Sequence, residues 1–366
     1  MRASIRLQFL WLVVIALGCF VFCDRNKSSV QSTSPYPAAK TQNMDGELLN
    51  ELVTEIENGR YGEVHSLLIL RNDSLVLEKY FNRYTREHFH PLYSVTKSFM
   101  SALIGISIHL GDIKSVNVNV LSYFPEYKDI ANMDSLKRAI TLEHLLTMTA
   151  GFEWDEFTYP YTDPRNDVVK FYSSDDWIKY VLDLPMSDIP GTRVVYNSGV
   201  SMLLSAILTK ASEFSASDFA SMFLFNPIGI TDWTWSSRPN GMSIGGWGLH
   251  LRSVDMVRFG QLYLHEGDWQ GKQVIPNEWV RASAQSHGRM NEWSDYGYQW
   301  WRYSNRMVTA GLMKTNDIYF AAGRGGQFIW VIPPYNMVVV SSAWNDNNGE
   351  NSEPLLWEYI LPAVKD

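Results

Sequence analysis

The chain has 366 residues, 46% of them hydrophobic and 14% aromatic, and its 31 basic and 39 acidic side chains give a formal net charge of −8. That is ample apolar material for a large core in one composite or two adjacent domains. The acidic balance, with no basic patch interleaved with aromatics, argues against a nucleic-acid partner.

Residues 1–23 open the chain with Arg2 and Arg6, followed by an apolar run from Leu7 to Cys23 broken only by Gln8. This pattern predicts a secretory signal or an N-terminal membrane anchor. The 17 residues of the run span roughly 25 Å as a helix at ~1.5 Å each, a marginal length for crossing a bilayer. Both cysteines, Cys19 and Cys23, lie in this leader, so an exported body carries none. Ala16-Leu17-Gly18-Cys19 resembles a lipoprotein cleavage site; Gly18 fits, whereas Leu17 stands one position later than usual. Cleavage, lipidation at Cys19 and a retained anchor all stay open; the expectation is an extracytoplasmic protein, periplasmic or at the cell surface, membrane-associated through this leader. Residues 24–43 are polar with two prolines and read as a flexible tether.

In the body, residues 44–59 have the pattern of an amphipathic helix. "HSLLILRND" and "SLVLEKYF" predict paired strands around an Asn72-Asp73 turn. Residues 95–110 are apolar nearly all round, the mark of a buried helix, and Gly111 can end it in a left-handed cap. "ITLEHLLTMTAG", "SGVSMLLSAILTKAS" and "SVDMVRFGQLYLHEG" predict further helices. Strand patterns return in "YGYQWWRY", "DIYFAAG", "GGQFIWVIP" and "NMVVVSSAW", before a last helix in "SEPLLWEYILPAV". The fold class is therefore α+β: an antiparallel sheet built from both chain ends (about 44–115 and 295–366), flanked by helices, with a mostly helical insert at about 116–294.

Three short motifs carry chemistry. Ser94 and Lys97 are three apart at the start of the apolar helix and share a face. Holding a lysine neutral at pH 7 costs ~4–5 kcal/mol in water, and burial removes that cost by disfavouring the ammonium. A neutral Lys97 can then accept the Ser94 proton and activate the serine as an acyl nucleophile. A snorkelling surface lysine is the bland alternative. Tyr196 ends a β-type run just before Ser198-Gly199 opens a helix, which can present its phenol to a cleft. Gly323, Gly325 and Gly326 clear side chains from the start of a strand, so that a substrate can approach backbone N–H groups there.

Together, Ser94-Val95-Thr96-Lys97, Tyr196-Asn197-Ser198 and Arg324-Gly325-Gly326 resemble the three motifs of the serine β-lactamase and penicillin-binding-protein superfamily. The Tyr form of the second motif is similar to class C β-lactamases, related esterases and 6-aminohexanoate-dimer hydrolases. The resemblance covers most of residues 60–345 and implies a β-lactamase-like fold needing no metal or cofactor. It implies Ser94 as nucleophile, Lys97 as its base, and Tyr196 as a second acid/base kept acidic by Lys97 and Arg324. The backbone N–H groups of Ser94 and Gln327 would form the oxyanion hole.

Two departures bear on substrate. Ser198 stands where the family usually has an asparagine that holds a substrate amide. Gly325 replaces a threonine whose hydroxyl helps hold the carboxylate of β-lactams and D-Ala-D-Ala peptides, although Arg324 can still pair with an anion. The expectation is a serine hydrolase acting through an acyl-enzyme on a small-molecule ester, amide or peptide, esters and small amides first. The alternatives are a β-lactamase or D,D-carboxypeptidase of the cell wall, and a penicillin- or peptidoglycan-binding sensor that acylates without turnover.

Three other patterns carry less. "GMSIG" matches the G-x-S-x-G elbow, but loop-like sequence on both sides argues against Ser243 as nucleophile. His88 and His90 would share a strand face with no third ligand evident, which reads as structural. Trp233, Trp235, Trp300 and Trp301 read as core, with one or two lining a cleft for an apolar acyl group.

Overall fold

The computed structural model describes residues 36–345 and 351–365. The leader, Cys19 and most of the tether lie outside the described residues.

Eight strands form one antiparallel sheet in the spatial order Ser74–Tyr80, Val64–Arg71, Met337–Ala343, Gln327–Ile332, Tyr319–Gly323, Trp301–Tyr303, Ser294–Tyr296, Gly288–Arg289. The first strand of the chain lies beside the last, and Leu68 pairs with Val340. The first hairpin closes through Asn72 and Asp73 at φ 49° and 60°, a two-residue turn that these side chains tolerate. Alternation of period two sends Leu68, Leu70, Val338 and Val340 to one core, and Leu67, Ile69, Met337 and Val339 to the other.

The first core is the site's scaffold. The helix Thr96–Leu110 is buried from Thr96 through Ser107 and ends at Gly111 with φ 86°. The helices Ser198–Ser212 and Ser253–Leu264 share the same core. Gly260 lets the latter press onto the sheet: a Cβ there would sit 2.5 Å from Val338 Cγ1. The second core is closed by the helix Gly46–Glu57 and the C-terminal segment.

Several elements differ from expectation. "YGYQWWRY" is not one strand but a hairpin in which Trp301 pairs with Tyr296. Gln299 turns it, at φ 58°. Its buried amide donates to the Leu145 and Leu146 carbonyls, both at 3.1 Å, and its oxygen accepts from Ser201 at 2.7 Å. The C-terminal run of strands in the sheet thus begins at Gly288, inside the expected helical insert. The insert also holds Thr234–Trp235 and Leu249–Arg252, which form a small sheet with Phe89–Pro91. The tether ends sooner than predicted, in a helix Tyr36–Thr41 whose Ala39 is buried. The last predicted helix shrinks to a wide turn, Leu356–Ile360, between Pro354 and Pro362, neither of which can donate a backbone hydrogen bond.

Candidate active site

Phe89–Pro91 delivers the chain to Tyr93, which takes a left-handed φ of 46°. A single 3-10 turn, Tyr93–Val95, then runs into the buried helix, so Ser94 stands at its N-terminal mouth. A non-glycine residue in this conformation is strained and persists only where its surroundings enforce it. Leu92 N–H donates to the Leu249 carbonyl at 2.9 Å. On the other side Gly323 lies so close that a Cβ would be 2.3 Å from the Leu92 oxygen.

Lys97 follows one turn later and is 1% exposed. Its Nζ lies 2.8 Å from Ser94 Oγ, 3.1 Å from Ser198 Oγ and 2.8 Å from the Gly246 carbonyl oxygen. Burial pulls the ammonium down to about 8, against the opposing charge of Glu156. Lys97 does not snorkel.

Tyr196 and Ser198 come from the junction before the helix Ser198–Ser212. Val195 N–H donates to the Met148 carbonyl at 2.8 Å. Asn197 is a cap and not a substrate ligand: its side chain accepts from Gly199 and Val200 N–H at 2.8 and 3.2 Å. The Tyr196 ring, 6% exposed, stacks between Phe157 at 5.2 Å and Trp301 at 5.4 Å. The expectation of an acidic phenol is reversed. Burial first, then Glu156, pushes Tyr196 above the usual tyrosine value, and only a hydrogen bond to Ser94 works the other way. Arg324 faces Tyr161 instead, 5.1 Å from its ring centre.

Sequence reasoning missed two members of this cluster. One is the Gly246 carbonyl, brought in by a loop whose approach needs glycine: a Cβ there would lie 3.1 Å from the Ser198 oxygen. The other is Glu156, 3% exposed. Its Oε1 accepts from Ser198 Oγ at 2.6 Å and Tyr161 OH at 3.0 Å. Its Oε2 accepts from Ser198 N–H at 2.8 Å and Trp154 Nε1 at 3.0 Å. In "GFEWDEF" nothing distinguishes Glu156 from Glu153 or Asp155; only the fold carries it to Ser198.

The opposite wall is the end of the strand Tyr319–Gly323. Gly323 and Arg324 line the cleft. Gly325 and Gly326, at φ 80° and 98°, build the hairpin turn behind them. Gln327 is also set back, which corrects its expected part in the oxyanion hole. It opens the next strand, held between its partner Gly323 and the strand Met337–Ala343, and its amide donates to the Ala343 carbonyl. The backbone edge that faces Ser94 is 322–324, beyond the last pairing with Trp301–Tyr303, Trp301 with Phe320.

The cleft has a volume of about 460 Å³. Tyr93, Ser94, Glu156, Tyr161, Tyr196, Ser198 and Arg324 provide its polar groups, and Phe157, Val168, Tyr172, Trp247 and Trp301 are among its apolar walls. Of the four tryptophans singled out, only Trp301 reaches it; Trp300 is in the core, and Trp233 and Trp235 pack against it. Ser243 is buried; its Oγ accepts from Ser217 N–H at 3.1 Å and donates to Ser217 Oγ at 3.2 Å. His90 is buried beside His65 and Tyr84, while His88 is exposed. No group of three or more His, Cys, Asp or Glu converges among the described residues.

This sheet-and-helix architecture, with a serine and a buried lysine one turn apart at its inner face, defines the β-lactamase-like fold. Residues 57–365 match the sequence model of the family described as Beta-lactamase, and the chain belongs to that family of hydrolases. It is similar to the 6-aminohexanoate-dimer hydrolase of Paenarthrobacter ureafaciens, with 23% identity over 305 residues, 77% of this chain and 73% of that protein. Among solved structures it is similar to EstCE1, a hydrolase with promiscuous acyltransferase activity, with TM-score 0.71 and 15% identity over 90% of this chain and 100% of that one. It is also similar to the penicillin-binding protein from Bacillus halodurans, with TM-score 0.62 and 17% identity over 86% and 99% of the two chains.

Proposed function

We propose that the protein is a serine hydrolase that cleaves esters or small amides with an apolar acyl group through an acyl-enzyme on Ser94. The observation that carries this reading is the desolvated Lys97 amine 2.8 Å from Ser94 Oγ. In its neutral form it takes the Ser94 proton as Oγ bonds to the acyl carbon. The oxyanion is met by the Ser94 backbone N–H and by the 322–324 edge. Tyr196, a neutral phenol, gives a proton to the leaving group as its bond to carbon breaks, and takes one back from the Lys97 ammonium. Water then adds to the acyl carbon while its proton passes through the Tyr196 phenol to the Lys97 amine, and Lys97 returns that proton to Ser94 Oγ as the Oγ–carbon bond breaks.

Substrate class follows from the walls. The aromatic and valine lining suits an apolar acyl chain in a cleft of the usual ligand-binding size. The Ser198 hydroxyl hydrogen is committed to Glu156, and Gly325 has no hydroxyl, so the β-lactamase and D,D-carboxypeptidase readings draw less support. The leader supports a place outside the cytoplasm, held at the membrane. A fluorophosphonate probe tests the nucleophile: the adduct should map to Ser94, and Ser94→Ala should lose labelling and nearly all ester turnover. An adduct at Ser243 would contradict the assignment.

A further inference from the structure

We infer that Glu156 is a positioning residue for acylation, acting through Ser198 to keep the free electron pair of Lys97 on Ser94; this rests on the Ser94–Lys97 reading proposed above.

A neutral lysine amine has two N–H groups and one electron pair. Three oxygens surround Lys97 Nζ: Gly246 O, Ser198 Oγ and Ser94 Oγ. The Gly246 carbonyl can only accept, so it takes one N–H. Ser198 Oγ could donate or accept, but its hydrogen goes to Glu156 Oε1 at 2.6 Å, the short distance of a hydroxyl on a carboxylate. Ser198 therefore accepts the second N–H. The electron pair is left facing Ser94, whose hydrogen is the one to be removed.

The same arrangement balances the next step. When Ser94 passes its proton to Lys97, the new N–H occupies the place of the electron pair, and the Glu156 charge offsets the ammonium. When Tyr196 has protonated the leaving group and taken the Lys97 proton in its place, the amine is restored. The other titratable groups facing this cluster are Tyr161, Tyr196 and Tyr296, each pushed up by burial, and Arg324 acts on Tyr161.

Glu156 is itself held by four donors, and that makes Glu156→Gln informative. Trp154 Nε1 and Ser198 N–H can only donate, so the amide oxygen must take the Oε2 place. The NH₂ then faces Ser198 Oγ and turns the hydroxyl hydrogen toward Lys97, where it competes with Ser94 for the electron pair. Charge and direction are both lost.

The test is the rate of Ser94 labelling by a fluorophosphonate across pH, which needs no knowledge of the natural substrate. Glu156→Gln and Ser198→Ala should each slow labelling at least about 10²-fold. Because one acts through the other, the double variant should be no slower than the slower single. Glu156→Gln should also move the acidic limb to lower pH, since the charge that favours the ammonium is gone. Additive losses, or an acidic limb left in place, would overturn the inference while leaving Ser94 as nucleophile. Should Glu156→Gln fail to fold, Ser198→Ala decides: labelling at the wild-type rate overturns it. A wild-type protein not labelled at Ser94 removes the underlying reading and this inference with it.

Discussion

Lys97 Nζ sits over the Tyr196 ring, 4.9 Å from its centre. The ring face favours the ammonium, while burial disfavours it. Tyr196→Phe keeps the ring and removes only the phenol, so the fold and the acidic limb should be retained. Turnover of a p-nitrophenyl ester should fall roughly 10²-fold, and acyl-enzyme should accumulate in intact-protein mass spectra. A full-rate Tyr196→Phe enzyme would remove the phenol from the mechanism.

Ester and β-lactam substrates should separate clearly. Ser198 and Gly325 leave out two contacts to the β-lactam amide and carboxylate, each worth ~1–3 kcal/mol when lost. Together these weaken kcat/KM by ~10²-fold or more. p-Nitrophenyl butyrate, which needs neither, should exceed nitrocefin in kcat/KM; the reverse order would return the β-lactamase reading to first place.

Gly323 is required by contact. Its absent Cβ would lie 2.3 Å from the Leu92 carbonyl oxygen, a backbone atom two residues before Ser94. Gly323→Ala should cost roughly 1–3 kcal/mol of stability through overpacking. It should also lower kcat/KM about tenfold or more by displacing the nucleophile turn. Thermal melts and ester kinetics check both; unchanged kinetics would show that the turn tolerates a shift.

Stability should fall in mild acid through His90. Burial first, then His65 and His88, depresses its imidazole to about 4 from 6.5. Above about pH 6.5 the ring is neutral both folded and unfolded, and contributes nothing. Between there and about pH 4 the unfolded chain binds the proton first, so stability drops as pH falls, by up to roughly 3 kcal/mol. His90→Phe should flatten the melting temperature over that window. An unchanged slope would assign the acid sensitivity elsewhere.

The fold class and the Ser94–Lys97 pair were legible because they rest on local pattern: an apolar run with no polar face, and two residues one turn apart. What was not legible depends on distant segments meeting. Glu156 matters only because the fold sets it beside Ser198, and the Gly246 carbonyl only because a loop closes on Lys97. The Tyr196 phenol was misjudged because motif order brings cations to mind, whereas burial and Glu156 dominate. Gln327 was misplaced because the hairpin turn, invisible in "RGGQ", takes it one strand behind the cleft.

The most direct test of the account is the pH dependence of covalent labelling at Ser94, read by intact mass and peptide mapping, in wild type and Lys97→Arg. A Ser94 adduct should form at a rate that rises with pH through about 8, where burial holds Lys97. Lys97→Arg, which cannot supply a neutral base, should fold normally by circular dichroism yet lose labelling by at least about 10³-fold. Labelling of a natively folded Lys97→Arg protein at the wild-type rate would show that Lys97 is structural and would contradict the account.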